Sequence, residues 1–327
     1  MFSTRITKLL GIRHPVICGC MQWLTRAELV AAVAEAGGLG IIPAATFDSI
    51  DELKQEIRKT RQLTSKPFAV NVTLIPMGRP FSHAEMLMAA IDEGVPVIET
   101  AARNPQDYVD MIKASGAVYL HKCARVQDVV KAARLGADMV TVVGFECGGH
   151  PGRQDVSTMV KVSRAVNAVD IPIAAGGGIS DGRGLVAALS LGAEAVVMGT
   201  RFFAVRECPA HDDIKAALVS ADEASTGLAL TTLEPVRVLR NPVLDRVGEL
   251  ETKGASIAEM YPLVSGRRGL KAYMSGHADD ALIPCGQGVG LIDDIPTVAE
   301  LMDRIMSEAG MAIERVGAMA SVPNQRG

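Results

Sequence analysis

Eight short apolar runs separated by amphipathic stretches constrain this chain more than any other feature. The runs are PVICG (15–19), LGIIPA (39–44), FAVNVTL (68–74), VPVIET (95–100), AVYLHKC (117–123), MVTVVG (139–144), IPIAAGG (171–177) and AVVMGT (195–200). Between them lie stretches of helical periodicity at 26–36, 49–62, 84–93, 105–114, 125–135, 157–168 and 182–191. The runs show little polar alternation, as expected of parallel strands buried on both faces. Eight strands alternating with helices in about 200 residues predict an α/β fold, the (β/α)8 TIM barrel. A doubly wound open sheet shares the alternation; the count of eight and the glycine turns on the last two strands favour the barrel. Thr25-x-x-Glu28 reads as a capping box for the first long helix.

The pattern changes after residue 208. Residues 210–275 are helical in composition, with one strand candidate at 235–239, so an inserted helical extension domain is expected over 210–279. The barrel then comprises 1–209 and 280–327. A glycine-rich loop, Cys285–Gly290, precedes a last helix at 296–316 that returns to close the barrel, and the tail from Ser321 is expected to fray.

The net charge of −4 argues against a nucleic-acid or anionic-membrane surface. The N-terminal segment holds no continuous apolar run and no window reaches membrane-span length, so a cytoplasmic protein is expected. Six scattered cysteines with no secretion signal are expected to be reduced. No histidine, cysteine or carboxylate spacing suggests a metal site.

In a barrel of this kind the loops at the carboxyl ends of the strands build the active site. Strands seven and eight end in Gly176-Gly177-Gly178 and Gly199-Thr200, glycine turns that let backbone N–H groups approach a phosphate. Asp181 caps the helix that follows. Strand one leads into Cys20, Met21, Gln22 and Trp23; strand three carries Asn71 and Thr73; strand four leads to Thr100 and Asn104. Lys122 at the end of strand five serves a phosphate or an electron-rich ring, or else a salt bridge with Glu99 or Glu146. His121, on the opposite face, is structural. His150, set among Gly148, Gly149, Pro151 and Gly152, is a candidate acid or base, or a plain hydrogen-bond donor.

These residues together resemble the nitronate monooxygenase-like flavoproteins, formerly called 2-nitropropane dioxygenases. The resemblance runs over almost the whole chain: GCMQW (19–23), AEAGGLGII (34–42), KPFAVNVTL (66–74), HKC (121–123), GFECGGHPG (144–152), AAGGGISDGRG (174–184) and MGTRF (198–202). It implies non-covalent FMN in a TIM barrel with an added helical domain. It also implies FMN contacts from Cys20, Met21, Gln22, Thr73 and Lys122, with Gly148 and Gly149 approaching the ring. Gly176, Gly177, Gly178, Gly199 and Thr200 would hold the phosphate, and His150 would face the substrate.

GCMQW, the Thr73–Pro80 segment and the HPG turn look most like the family's NADH:quinone reductase branch, with NADH as co-substrate. Residues 77–80 would gate the nicotinamide. The alternatives are oxidation of alkyl nitronates by oxygen and, third, an FMN-dependent enoyl-acyl-carrier-protein reductase, to which GQGVGL (286–291) is similar. Cys20 departs from the glycine that relatives tend to carry. The partners implied are small molecules, and the oligomeric state is left open, a homodimer among the options.

Overall fold

The computed structural model describes residues 2–75 and 80–320. Eight parallel strands close into a barrel in sequence order, β8 pairing back onto β1. They are β1 (Val16–Cys18), β2 (Leu39–Pro43), β3 (Ala69–Thr73), β4 (Val97–Ala101), β5 (Val118–Cys123), β6 (Met139–Val143), β7 (Ile173–Gly176) and β8 (Ala195–Met198). Each lies within two residues of the bounds expected from the apolar runs. The helices on the outside begin with α1 (Arg5–Leu10) and α2 (Ala27–Glu35). They continue as α3 (Ile50–Leu63), α4 (His83–Asp92), α5 (Gln106–Ala114), α6 (Val126–Arg134), α7 (Thr158–Val166) and α8 (Gly182–Ser190).

Strand residues divide by parity between two cores. Ile17, Leu39, Ile41, Val97, Leu120 and Met139 fill the barrel, and Ile6, Leu10 and Ile12 from α1 and its exit join that cluster. Val70, Val72, Ile98, Tyr119, Val140 and Val142 face outward to the helices. The helix layer lies close enough to demand glycine at one point: a Cβ on Gly40 would stand 2.7 Å from the Val30 Cα.

Several helix starts follow local chemistry. Ser49, Ser82 and Asp181 each accept an N–H from their own first turn. The capping box expected at Thr25 does not form. Residue Arg26 is the N-cap and makes no side-chain cap bond. The Thr25 hydroxyl instead accepts the Met21 N–H at 2.8 Å and faces the Gly19 carbonyl, so it closes the turn after β1.

Beyond β8 come α9 (Thr200–Phe203), α10 (Asp212–Val219), the antiparallel pair β9 (Thr226–Ala229) and β10 (Val236–Leu239), α11 (Pro242–Thr252), α12 (Ile257–Val264) and α13 (Gly266–Ser275). Thr200 therefore opens a short helix instead of ending a strand. The hairpin adds β structure to a segment expected to be helical. Ala229, Val236, Val238, Val243, Leu244 and Val247 form their own small apolar cluster, whereas Ile214 and Tyr273 join the main one. The last helix, α14 (Val298–Ala320), packs on α8 and α2 and so fills the place between the last and first turns of the barrel. All six cysteines are free.

His121 lies on the outward face of β5, buried, with Nδ1 2.7 Å from the Thr100 hydroxyl. Burial pushes its pKa down to about 4. The unfolded chain takes up this proton near pH 6.5, so unfolding binds a proton throughout the interval between. The contribution to stability is therefore complete above about pH 6.5 and is lost as the pH falls toward 4, worth roughly 3 kcal/mol in total. Thermal unfolding should drop more between pH 7 and pH 5 for the wild type than for His121→Gln. Equal drops in Tm would show that His121 carries no such linkage.

Candidate functional site

At the carboxyl end of the barrel the inward positions of β3 to β6 turn polar. Asn71, Thr73, Glu99, Lys122 and Thr141 occupy them, with Lys122 in register between Ala101 and Thr141. The Thr73 hydroxyl donates to Asn71 Oδ1 at 2.8 Å, and Asn71 Nδ2 donates to Glu99 Oε2 at 2.6 Å. Lys122 Nζ lies 3.7 Å from the Cys20 sulfur, which enters from the turn after β1. The Cys20 sulfur, and behind it the Glu99 carboxylate, raise the Lys122 pKa against the opposing cost of burial, so the ammonium stays charged. Glu99 is thus among the groups around Lys122, while Glu146 turns elsewhere.

The loop after β6 brings His150 to the same mouth. Glu146 folds back and accepts the Thr158 N–H and hydroxyl at 2.9 Å. It thereby caps α7, whose own N-cap, Ser157, makes no side-chain cap bond. Gly149 and Arg237 of β10 exchange both backbone hydrogen bonds, at 3.0 and 2.7 Å. The Arg237 guanidinium also donates to the Phe145 carbonyl and lies over the Phe145 ring. His150 follows this bridge and opens onto the mouth. His150 is exposed at the surface, yet desolvation by the surrounding loops first, and the Lys122 charge second, lower its pKa from the ordinary histidine value.

The glycine turns after β7 and β8 lie against that loop. Gly177 and Gly178 have φ of 101° and 69°, the left-handed region that favours glycine. A Cβ on Gly177 would stand 2.9 Å from the Thr158 hydroxyl. Neither backbone N–H is drawn into a turn hydrogen bond among the described residues. Gly149, at φ 72°, has open space where a side chain would begin. Gly199 lies beside the Met21 thioether, and the Thr200 hydroxyl accepts the Gly286 N–H at 2.9 Å. Two unspent N–H groups in a cradle without side chains suit a phosphate. A cation at the mouth suits an electron-rich ring. The residues present therefore fit FMN.

Of the other sequence candidates, Gln22 is exposed and donates to the Ala45 carbonyl at 3.0 Å. Trp23 takes a left-handed φ of 71°, rare for a bulky residue, with its backbone N–H on the Thr46 hydroxyl. Thr100 faces outward to His121, and Asn104 lies exposed beside Gln106. Residues 76–79, most of the expected nicotinamide gate, and the tail from 321 lie outside the described residues. Among the described residues there is no group of three or more ligands able to hold a metal, and no helix long and apolar enough to cross a membrane.

Sequence reasoning assigned no site role to Cys285–Gly290. Yet a Cβ on Gly148 would meet the backbone of Cys285 and Gly286 at 2.7 Å, and Gly288 carries the Ser180 hydroxyl on its carbonyl. This loop therefore seats the turns after β6, β7 and β8 against one another. The available signal was three glycines in five residues with no helical or strand period. His150 itself can be checked directly. Its NMR titration should have a midpoint below 6.5, moving upward in Lys122→Met as the neighbouring charge is removed; a midpoint indifferent to that substitution would separate the two side chains.

The family model for nitronate monooxygenase matches residues 3–308. A (3aS,4S,5R,7aS)-5-hydroxy-7a-methyl-1-oxo-octahydro-1H-indene-4-carboxyl-CoA dehydrogenase of Rhodococcus jostii is 34% identical, covering 97% of this chain and 98% of its own. A probable nitronate monooxygenase of Staphylococcus saprophyticus is 30% identical, covering 96% and 99%. FabK from Thermotoga maritima superposes with a TM-score of 0.92 at 36% identity, covering 98% of this chain and 100% of its own. With the barrel, the segment after it and the start of the returning helix inside the family match, the chain belongs to the nitronate monooxygenase family and is a flavin-dependent oxidoreductase.

Proposed function

We propose that the chain is an FMN-dependent NADH:quinone reductase, oxidising NADH and passing two electrons to a quinone. The observation that carries this reading, beside the sequence resemblance, is a cavity of about 350 Å³ against Trp23, in the turn after β1. Trp23 forms one wall and Arg26, Lys59 and Arg267 contribute cations. Asp48, Glu52 and Glu56 line it as well, so its charges balance, and its volume is more than a small alkyl nitronate would fill. Each cation has a carboxylate partner, Glu56 for Arg26, Glu28 for Lys59 and Asp48 for Arg267. A bound pyrophosphate would compete for these cations with acids already in place.

In this reading Gly176, Gly177, Gly178, Gly199 and Thr200 hold the FMN phosphate. Cys20, Met21, Gln22, Thr73, Gly148 and Gly149 line the flavin. The extension of 210–279, with its small separate cluster, is proposed as a domain distinct from the barrel of 1–209 and 280–327. Bound FMN supplies the two-electron centre between nicotinamide and quinone. Lys122 places a fixed positive charge where electron density accumulates, without a reorganisation cost at that moment. His150, neutral at pH 7 by its lowered pKa, donates a hydrogen bond to the acceptor oxygen.

A second reading has support from the relative named as a CoA dehydrogenase: the same cavity would take the adenine nucleotide of a coenzyme A thioester. Nitronate oxidation is supported by the family match and the Staphylococcus relative.

Anaerobic mixing separates these. NADH should bleach the bound flavin promptly and benzoquinone should restore its colour. A flavin that stays oxidised with NADH but is bleached by propionate 3-nitronate, or by a hydroxyacyl-CoA, overturns the proposal in favour of the corresponding alternative. A purified chain that is colourless and takes up no FMN removes the cofactor assignment. His150→Ala should keep its FMN and its reduction by NADH while quinone turnover falls about 100-fold. Full turnover with every acceptor would take His150 out of the reaction.

A further inference from the structure

Glu99 is only 1% exposed and points into the barrel from β4, in register with Asn71 on β3 and Leu120 on β5. A buried carboxylate needs hydrogen bonds and a counter-charge. Asn71 supplies the first at 2.6 Å, and its orientation is settled because a carboxylate only accepts and so must face the amide N–H2, leaving the amide oxygen to the Thr73 hydroxyl. The counter-charge is one strand over and two residues higher: Lys122 pairs with Ala101, Glu99 with Leu120. The Cys20 sulfur lies between the two levels, 3.7 Å from Lys122 Nζ and with the Glu99 carboxylate in its electrostatic surroundings. Burial pushes the Cys20 thiol up to about 12, so at neutral pH it carries its proton. In that form a thiol can donate its S–H to a carboxylate while a lone pair accepts from an ammonium.

We propose that Glu99 is a positioning residue for Lys122, acting through the Cys20 thiol, and that this buried chain sets the place and effective charge of the ammonium against the bound flavin. The inference rests on the flavin site proposed above. Its physical content is electrostatic. Lys122 favours the reduced, more electron-rich flavin, and the Glu99 carboxylate offsets part of that effect. The thiol keeps a long, flexible side chain in one place, which a glycine at position 20 would not do.

Four proteins test it: wild type, Glu99→Gln, Cys20→Ala and Cys20→Ser, each with FMN content, FMN Kd, midpoint potential and Tm measured. Glu99→Gln should raise the midpoint potential at unchanged FMN stoichiometry, a change that loss of packing alone does not produce. Cys20→Ala should weaken FMN binding roughly tenfold by freeing Lys122, and Cys20→Ser, whose hydroxyl also donates and accepts, should restore it. An unchanged potential in Glu99→Gln overturns the proposal. So does a Cys20→Ala protein that matches Cys20→Ser. If Glu99→Gln does not fold, the two Cys20 variants decide.

If the wild type binds no FMN, the flavin reading fails by itself and the lysine is examined in the flavin-free chain. Acylation of Lys122 by an amine-directed reagent, followed by peptide mass spectrometry, should then run several-fold faster in Glu99→Gln. An equal rate overturns the Glu99–Lys122 link.

Discussion

The pairing of β1 with β8 is the constraint on which the rest of this molecule depends. An open parallel sheet leaves its ends free to adopt different levels. Closure fixes the level of every strand relative to its neighbours and gathers all eight carboxyl ends around one opening. Residues more than 100 apart in sequence, such as Cys20 and Lys122, then meet as a matter of register. Closure also decides parity. Leu120 must point in and Tyr119 and His121 out, so Lys122, two residues on from Leu120, must enter the interior.

That consequence sets up the central tension of the site. The lower interior is aliphatic, from Ile17 and Ile41 to Met139, and tolerates no unpaired charge. Lys122 is held just above it. The polar positions cluster on β3 to β6, on one side of the opening, while β7 and β8 end in glycine. One half of the mouth therefore offers side-chain charge and the other bare backbone N–H groups. A molecule with an anionic tail and an electron-rich ring matches that division.

The barrel was legible because strands buried on both faces leave an uninterrupted apolar signal, and each expected strand lies within two residues of its place. What escaped was structure created by partners distant in sequence. Thr226–Ala229 carries a glycine and becomes a strand only beside Val236–Leu239. Thr25 has the local pattern of a cap, but Gly19 and Met21 hold its hydroxyl. Thr200 ends an apolar run and yet starts a helix. In the site, His121 was legible as structural from parity alone, and Asp181 as a cap from its place before Gly182. The seat made by Gly148, Gly286 and Gly288 was not, because close backbone approach between two loops leaves only scattered glycines in the chain.

The bridge between Gly149 and Arg237 makes the His150 loop, in effect, a third strand on the edge of the hairpin. A strand added to an edge has no more persistence than the sheet it joins. That sheet rests on the small cluster of Ala229, Val236, Val238 and Val247, with Leu239 at its end joining the main core. The order of the His150 loop therefore depends on the hairpin unit it joins. A local opening of that unit, with the barrel intact, would release His150 together with the turn that leads to it. Such a molecule would keep the glycine turns after β7 and β8 and lose the placement of His150.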